Sequence, residues 1–320
     1  MIRPRNEHTL ADVCEVRGRG YWSGREVRVR FCPASAGSGI RFVRTDLPDR
    51  PSCLAISCNV NPSSLRTNLR DGDASFEMIE HVMAALYGLE VDNCVVEIDA
   101  EEVPGMDGSA KDYVHALRSV GMVVQAAARK RYLINRNFRV GDEHSWIEAM
   151  PVCDGHPVYE YWLDYGDHSP IRPQSYSGSL SAHSFARELA PARTFVTAEQ
   201  VDRLRREGVG THVGPQDLLV FDDRGLVDNR LRYDNECARH KALDLIGDLA
   251  LTGFDLVGHF VSNRGGHRLN AELATQLAEV AQVNGWLSVT PDGSEPSVVE
   301  CMRSIDPRQD VSKMPWGRVA

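Results

Sequence analysis

The chain of 320 residues is too long for one ordinary hydrophobic core, so two domains are expected. Its 42% apolar and 25% charged residues are globular values, and a net charge of −9 argues against a general nucleic-acid binder. No apolar run approaches the ~18–20 residues of a membrane span, and the first residues lack the apolar core of a signal peptide. Eight scattered cysteines without a CxxC then read as reduced thiols, several of them buried, in a soluble cytoplasmic chain.

In chain order, Cys14–Arg19 and Glu26–Cys32 read as strands. Val27, Val29 and Phe31 alternate with Arg28 and Arg30, the period of a half-buried strand. Residues 33–62, rich in Pro, Ser and Gly, suit irregular strands and loops. Ser75 is placed to cap a helix through about Leu86, whose apolar stripe is Ile79, Val82, Met83 and Leu86. On that helix Glu80 and His81 point away from the stripe, and the small Ala84 and Ala85 let another helix come close. Cys94–Asp99 reads as a buried strand, and Ser109 as the N-cap of a helix through Leu117. Gln125–Lys130 looks like a crossover between domains.

The second half repeats this pattern. Strands are expected near Tyr132–Asn135, Trp146–Met150, Val158–Tyr165 and Gln174–Ser179. Ser181 caps a helix through Leu189, Ala198–Glu207 is a polar helix, and Leu218–Val227 is a hairpin. A long helix runs roughly from Asn235 to Leu251. A buried strand follows at Phe254–Val261, then a flexible Asn263–His267 loop, then a helix capped by Asn270. The expectation is an α+β protein of two facing layered domains, over 1–126 and 130–305, with an insert at about 196–227 and a tail over 306–320.

The long helix is the centre of the chemistry. His240, Asp244 and Asp248 are spaced i, i+4, i+8 and share one stripe, while Ala238, Ala242, Leu245, Ile246 and Leu249 form an apolar one. A solvated charged face is one reading of the polar stripe. Another is a metal grip, since an imidazole and a carboxylate one turn apart can hold one ion. His81, His240 and Asp244 would make three ligands with the fourth place open, the pattern of a catalytic zinc. Glu80 is then placed as general base, and His267, on a Gly-Gly-His loop, as a proton donor oriented by Asp248.

Read together, these motifs resemble the zinc-dependent UDP-3-O-acyl-N-acetylglucosamine deacetylases of lipid A biosynthesis. The match runs from Gly18 to about Leu277. It includes Ile79-Glu80-His81 with Ala84-Ala85-Leu86, Asp92-Asn93 with Met106-Asp107-Gly108-Ser109, and Ala192-Arg193-Thr194-Phe195. It also includes Arg239-His240-Lys241 with Asp244 and Ile246-Gly247-Asp248, and Gly266-His267 with Leu269-Asn270. Five motifs in order are far more specific than any one alone.

The resemblance implies a two-domain β-α-α-β sandwich with the active site at the domain junction. It implies His81, His240 and Asp244 as ligands of Zn²⁺, with Fe²⁺ as the other ion such a set suits. Glu80 is implied as general base, His267 as general acid supported by Asp248, and Thr194 as oxyanion partner. Lys241 and Arg264 are implied to meet phosphates, Phe195 to pack near substrate, and Asp164-Tyr165 to lie at the uridine end. The implied partner is a nucleotide sugar carrying an acyl chain, handled by a monomer without nucleic acid or a transmembrane segment.

Four places depart from the family pattern. Gly-Gly-Ser of the tunnel insert is Val213-Gly214-Pro215, and Leu-His of the early glycine motif is Tyr21-Trp22. The Thr before the Glu-His pair is Met78, and the Lys-Ser-Gly-His loop is Arg264-Gly265-Gly266-His267. These lie where acyl chain or sugar is recognised, so acyl length and acylation itself stay open. A zinc amidase for another acetylated nucleotide sugar, and a catalytically silent nucleotide-sugar binder, are the alternatives.

Overall fold

The computed structural model describes residues 5–284 apart from 62, 64 and 154. The expected tail over 306–320, and the end of the second expected domain at 305, lie outside the described residues. Two five-stranded sheets dominate. The first runs in the order Cys14–Arg19, Glu26–Pro33, Cys94–Ile98, Ile40–Arg44, Ser52–Leu54. The second runs Phe138–Gly141, Trp146–Met150, His259–Asn263, Val158–Leu163, Gln174–Ser179. Taken in sequence order within each sheet, both read 1-2-5-3-4. In each, the last strand lies in the middle and pairs parallel with the third and antiparallel with the second. The repeat expected from the element order is thus a repeat of topology.

The helices are α1 (Glu80–Gly88), α2 (Lys111–Val120), a short α3 (Ala182–Ser184), α4 (Ala198–Arg206), α5 (Glu236–Leu249) and α6 (His267–Asn284). Helix α2 packs on α1 and on Cys14–Arg19, while α5 and α6 pack together and on the second sheet. The two layers meet where α1 crosses α5. Val27, Val29 and Phe31 turn into the core while Arg28 and Arg30 stay partly exposed, as their alternation requires. Smaller sheets complete the fold: Asn6–Leu10 with Met122–Ala128, Arg131–Leu133 with Asp255–Val257, and Val60–Asn61 with Asn68–Asp71 and Ala74–Phe76. Phe195–Thr197, Leu219–Asp222 and Gly225–Leu226 pair within the expected insert. Among the described residues no helix is long and apolar enough to cross a membrane.

Several local expectations are corrected. Ser75 caps nothing: it pairs with Arg70 in a strand, and α1 starts five residues later with no side-chain cap. Gln125–Ala128, expected as part of a crossover, is the end of the strand Met122–Ala128, which pairs with the N-terminal strand. Phe254–Val261 is two strands in two sheets. At Gly258 a side-chain carbon would stand 2.5 Å from Ile134, so only glycine fits where the chain changes sheet. Asn270 lies inside α6, which begins at His267. Ser181 does cap its helix with a reciprocal box to Ser184, although the turns that follow are π-helical over Phe185–Leu189.

Candidate metal centre and active site

Helix α5 has almost no wet face. His240, Asp244 and Asp248 are 2%, 3% and 0% exposed, which excludes the solvated-face reading of their stripe. Helix α1 is similarly enclosed, and Glu80 and His81 are buried in it along with Val82 and Leu86. The crossing of the two helices brings three separated side chains to one point. His240 Nε2 stands 3.3 Å from Asp244 Oδ1, and His81 Nε2 stands 3.6 Å from the same oxygen. Donor atoms of the three residues all lie within 4.8 Å of one another.

The electrostatics of this cluster suit a cation. Asp244 Oδ2 accepts a hydrogen bond from Lys241 Nζ at 2.8 Å, while the buried Oδ1 has no hydrogen-bond partner. Burial alone would raise the Asp244 pKa, but the charges of His240 and Lys241 hold it well below the usual carboxylate range. His240 Nδ1 faces the Ala192 carbonyl at 3.1 Å, which assigns the proton to Nδ1 and turns the Nε2 lone pair inward. Burial also pushes the His240 pKa down to about 3, so the ring is neutral near pH 7, as a metal ligand would have to be. Two imidazoles and one ionised carboxylate converging on an unpaired oxygen fit a divalent ion.

Around this point stand further titratable groups. Glu80, next to His81, is buried, and that burial raises its pKa. His267 opens α6 with Nδ1 on Asp248 Oδ2 at 2.9 Å and Nε2 3.9 Å from Asp244 Oδ2. Burial would lower the His267 pKa, but the Asp248 charge and hydrogen bond overcome it and raise it to about 9. Thr194 lines the same cavity, its backbone N–H donating to the Gly108 carbonyl at 2.7 Å. Phe195 packs edge-on to His240 and to Tyr165.

The cavity measures about 1370 Å³, above the ~300–1,000 Å³ of ordinary small-ligand pockets, so there is room for a large substrate. Glu80, His81, His240, Lys241, Asp244 and His267 line it, and so do Tyr165 and Arg264. Asp164 has no place among the described lining residues; its Oδ1 instead holds the Gly166 N–H in a turn. Asp248 lies behind His267 rather than on the wall. The departures Tyr21, Trp22, Val213, Gly214 and Pro215 also line the cavity. Tyr21 donates to the Asp217 carbonyl, and His212 Nε2 lies 2.8 Å from the Gly20 carbonyl, so the insert is fastened to the early glycine turn.

Two further residues at the site, Glu236 and Thr67, carry no local signal in the sequence. Arg193 and Glu236 form a buried pair at 2.8 Å, and Glu236 also accepts the Arg193 N–H. That clasp fixes the Ala192–Phe195 segment on the start of α5, and with it the Ala192 carbonyl and Thr194. Thr67 is hydrogen-bonded to Glu80, Asp248 and His267 together.

Residues 7–279 match the model of the LpxC family, UDP-3-O-acyl N-acetylglycosamine deacetylase. The chain belongs to this family. It is 37% identical to the UDP-3-O-acyl-N-acetylglucosamine deacetylase of a Nostoc species over 276 residues, which cover 85% of this chain and 98% of that protein. It is 34% identical to the enzyme of the same name from Pseudomonas entomophila, over 95% of this chain and 99% of the other. With that from Syntrophus aciditrophicus it shares 33% identity over 89% of each chain. The family expected from the five motifs is therefore the family found.

Proposed function

We propose that this chain hydrolyses the acetamide of a UDP-linked 3-O-acyl-N-acetylglucosamine, releasing acetate and the free amine, as part of lipid A biosynthesis. The observation that carries the reading is the convergence of His81, His240 and Asp244 beside Glu80 and His267 on one large cavity. In this reading His81, His240 and Asp244 hold the divalent ion. Zinc in such a set supplies Lewis acidity, lowering the pKa of a water towards ~7 and polarising a carbonyl.

The rest falls to the chain's own residues. Glu80, its pKa raised by burial, takes the proton of the attacking water as the oxygen–carbon bond forms. Thr194 offers its hydroxyl to the oxyanion. The carbon–nitrogen bond then breaks, and His267 gives the leaving amine its proton from Nε2. Asp248, on Nδ1, keeps that ring protonated near neutrality. Lys241 and Arg264 supply positive charge for a diphosphate, and Phe195 and Tyr165 an aromatic wall. Zinc rather than ferrous iron as native ion, a cytoplasmic location and a monomeric state belong to the same proposal.

The presence of Tyr21, Trp22 and Pro215 on the cavity wall favours one second reading, an amidase for a differently acylated or unacylated nucleotide sugar. Acetate release from acylated and unacylated UDP-N-acetylglucosamine separates the two. Strong preference for the acylated substrate is expected, and equal rates would overturn it. Glu80→Gln is expected to cost roughly 10²–10⁴ in rate with the metal retained. A silent binding protein would release no acetate at all.

A further inference from the structure

We propose that Thr67 is the positioning residue that locks both proton-transfer groups into one fixed relation. The inference rests on the roles given above to Glu80 and His267, and stands on geometry of its own. Thr67 is buried and immediately precedes the strand Asn68–Asp71, which belongs to neither large sheet. Its backbone brackets the start of α1. The Thr67 N–H donates to Glu80 Oε2 at 2.9 Å, and the Thr67 carbonyl accepts from the Ile79 N–H at 3.1 Å. One oxygen of Glu80 is thereby pinned to a backbone group that cannot rotate away.

The side chain of the same residue reaches the other group. A threonine hydroxyl has one hydrogen and two lone pairs, while an ionised carboxylate only accepts. The hydroxyl hydrogen is therefore assigned to Asp248 Oδ1, 2.5 Å away. Asp248 Oδ2 accepts from His267 Nδ1 at 2.9 Å and from Asn270 Nδ2 at 2.7 Å. With both oxygens engaged, Asp248 cannot turn, and the imidazole keeps its proton on Nδ1 and its Nε2 towards the cavity. Thr67 Oγ1 also lies 3.1 Å from His267 Nδ1, closing a triangle of three buried groups. Glu80 comes from α1, Asp248 from α5 and His267 from α6, so one residue ties together elements from both layers. Catalytic groups act well only when such supporting contacts hold them within about half an ångström of their working position.

Thr67→Val removes the hydroxyl and keeps shape and backbone N–H. It is expected to lower kcat by ~10–100-fold, the usual cost of losing an outer-shell partner, with KM within about twofold and metal content unchanged. Thr67→Ser is expected to restore most of kcat. The proton NMR signal of the His267 Nδ1–H, identified by its loss in His267→Ala, is expected to broaden or move in Thr67→Val and to return in Thr67→Ser. Wild-type kcat with an unmoved signal in Thr67→Val overturns the proposal. Should that variant not fold, Thr67→Cys, with a weak donor of similar size, decides: full kcat overturns the proposal and a matching loss supports it. Glu80→Gln and His267→Ala run alongside. If they keep full activity the reading of the site fails, whereas their loss beside a fully active Thr67→Val removes Thr67 alone.

Discussion

A side-chain carbon on Gly247 would lie 2.2 Å from the carbonyl oxygen of Glu80 and 3.1 Å from the Ala84 nitrogen. The two helices thus touch backbone to backbone at the residue that begins α1. This close crossing sets the His81 ring 5.0 Å from the ring of His240. In Gly247→Ala the gain in helix propensity, at most ~1 kcal/mol, is outweighed by the overlap. A net loss of about 1–3 kcal/mol is expected from overpacking of this kind, together with a weaker hold on the metal. Urea unfolding and metal analysis check this together. A variant more stable than wild type with full metal content would show that the crossing tolerates a methyl group.

The three proposed ligands come from two helices, so a bound ion should tie those helices together. Removing it with a chelator is expected to abolish acetate release and to lower the unfolding midpoint, since a ligand bound only by the native state stabilises that state by mass action. His240→Ala should reproduce the metal loss without the chelator, and zinc added back should rescue only the chelated wild type. Turnover by fully metal-stripped wild type would remove the ion from the chemistry.

How much of this was legible in the sequence depends on distance along the chain. The α5 stripe is local, because i, i+4, i+8 spacing is visible in any helix. Glu80 and His81 are not legible in that way. Their place off the apolar stripe marks them as candidates, but an isolated Glu-His pair is a weak signal, and the resemblance is what made their meeting with the α5 stripe specific. Ser75 looked like a cap because cap chemistry and strand chemistry share serine; its pairing with Arg70 belongs to a local hairpin that turns at Gly72-Asp73, a turn signal passed over in the sequence. Gln125–Ala128 carries no alternating pattern, and its strand exists because the N-terminal strand lies beside it. Thr67 is the extreme case. It stands 181 residues from Asp248 and 200 from His267 in sequence, and a lone threonine between Arg66 and Asn68 has no periodicity to betray it.

The clasp between Arg193 and Glu236 gives a stability prediction. Glu236 is fully buried and accepts from Arg193 Nε and N–H and from the Arg232 N–H. Breaking a buried pair from one side leaves an uncompensated charge and costs about 3–5 kcal/mol. Glu236→Ala is expected to fall in that range by urea unfolding and to reduce kcat as well, because the Ala192 carbonyl and Thr194 lose their anchor. Arg193→Met with Glu236→Leu should recover part of the stability but not the rate. A stability loss in Glu236→Ala under 1 kcal/mol would mean that the clasp is replaceable by solvent.

The last prediction concerns acid. Arg5, Arg129 and Arg131 surround Asp255, with Arg5 at 2.8 Å and Arg129 at 2.9 Å, and Arg5 and Arg129 also reach Asp92. Burial would raise the Asp255 pKa, but the charges of Arg129 and Arg5 overcome it and hold the group below its usual 3.8. A carboxylate whose folded pKa is depressed contributes stability above the unfolded value, and loses it as pH falls through the folded one. Asp255→Asn is therefore expected to be less stable than wild type at pH 7, by about 3 kcal/mol if the buried arginines are left short of a partner. As pH falls below ~4 the unfolded chain's carboxylate takes up its proton before the depressed folded one does, and the gap between the two proteins should narrow from there, because a protonated Asp255 is no better a partner than an amide. Urea midpoints measured in steps from pH 7 to about 3 test the sign. A gap that stays constant across that range would show that Asp255 acts by shape and hydrogen bonding, with its charge contributing nothing.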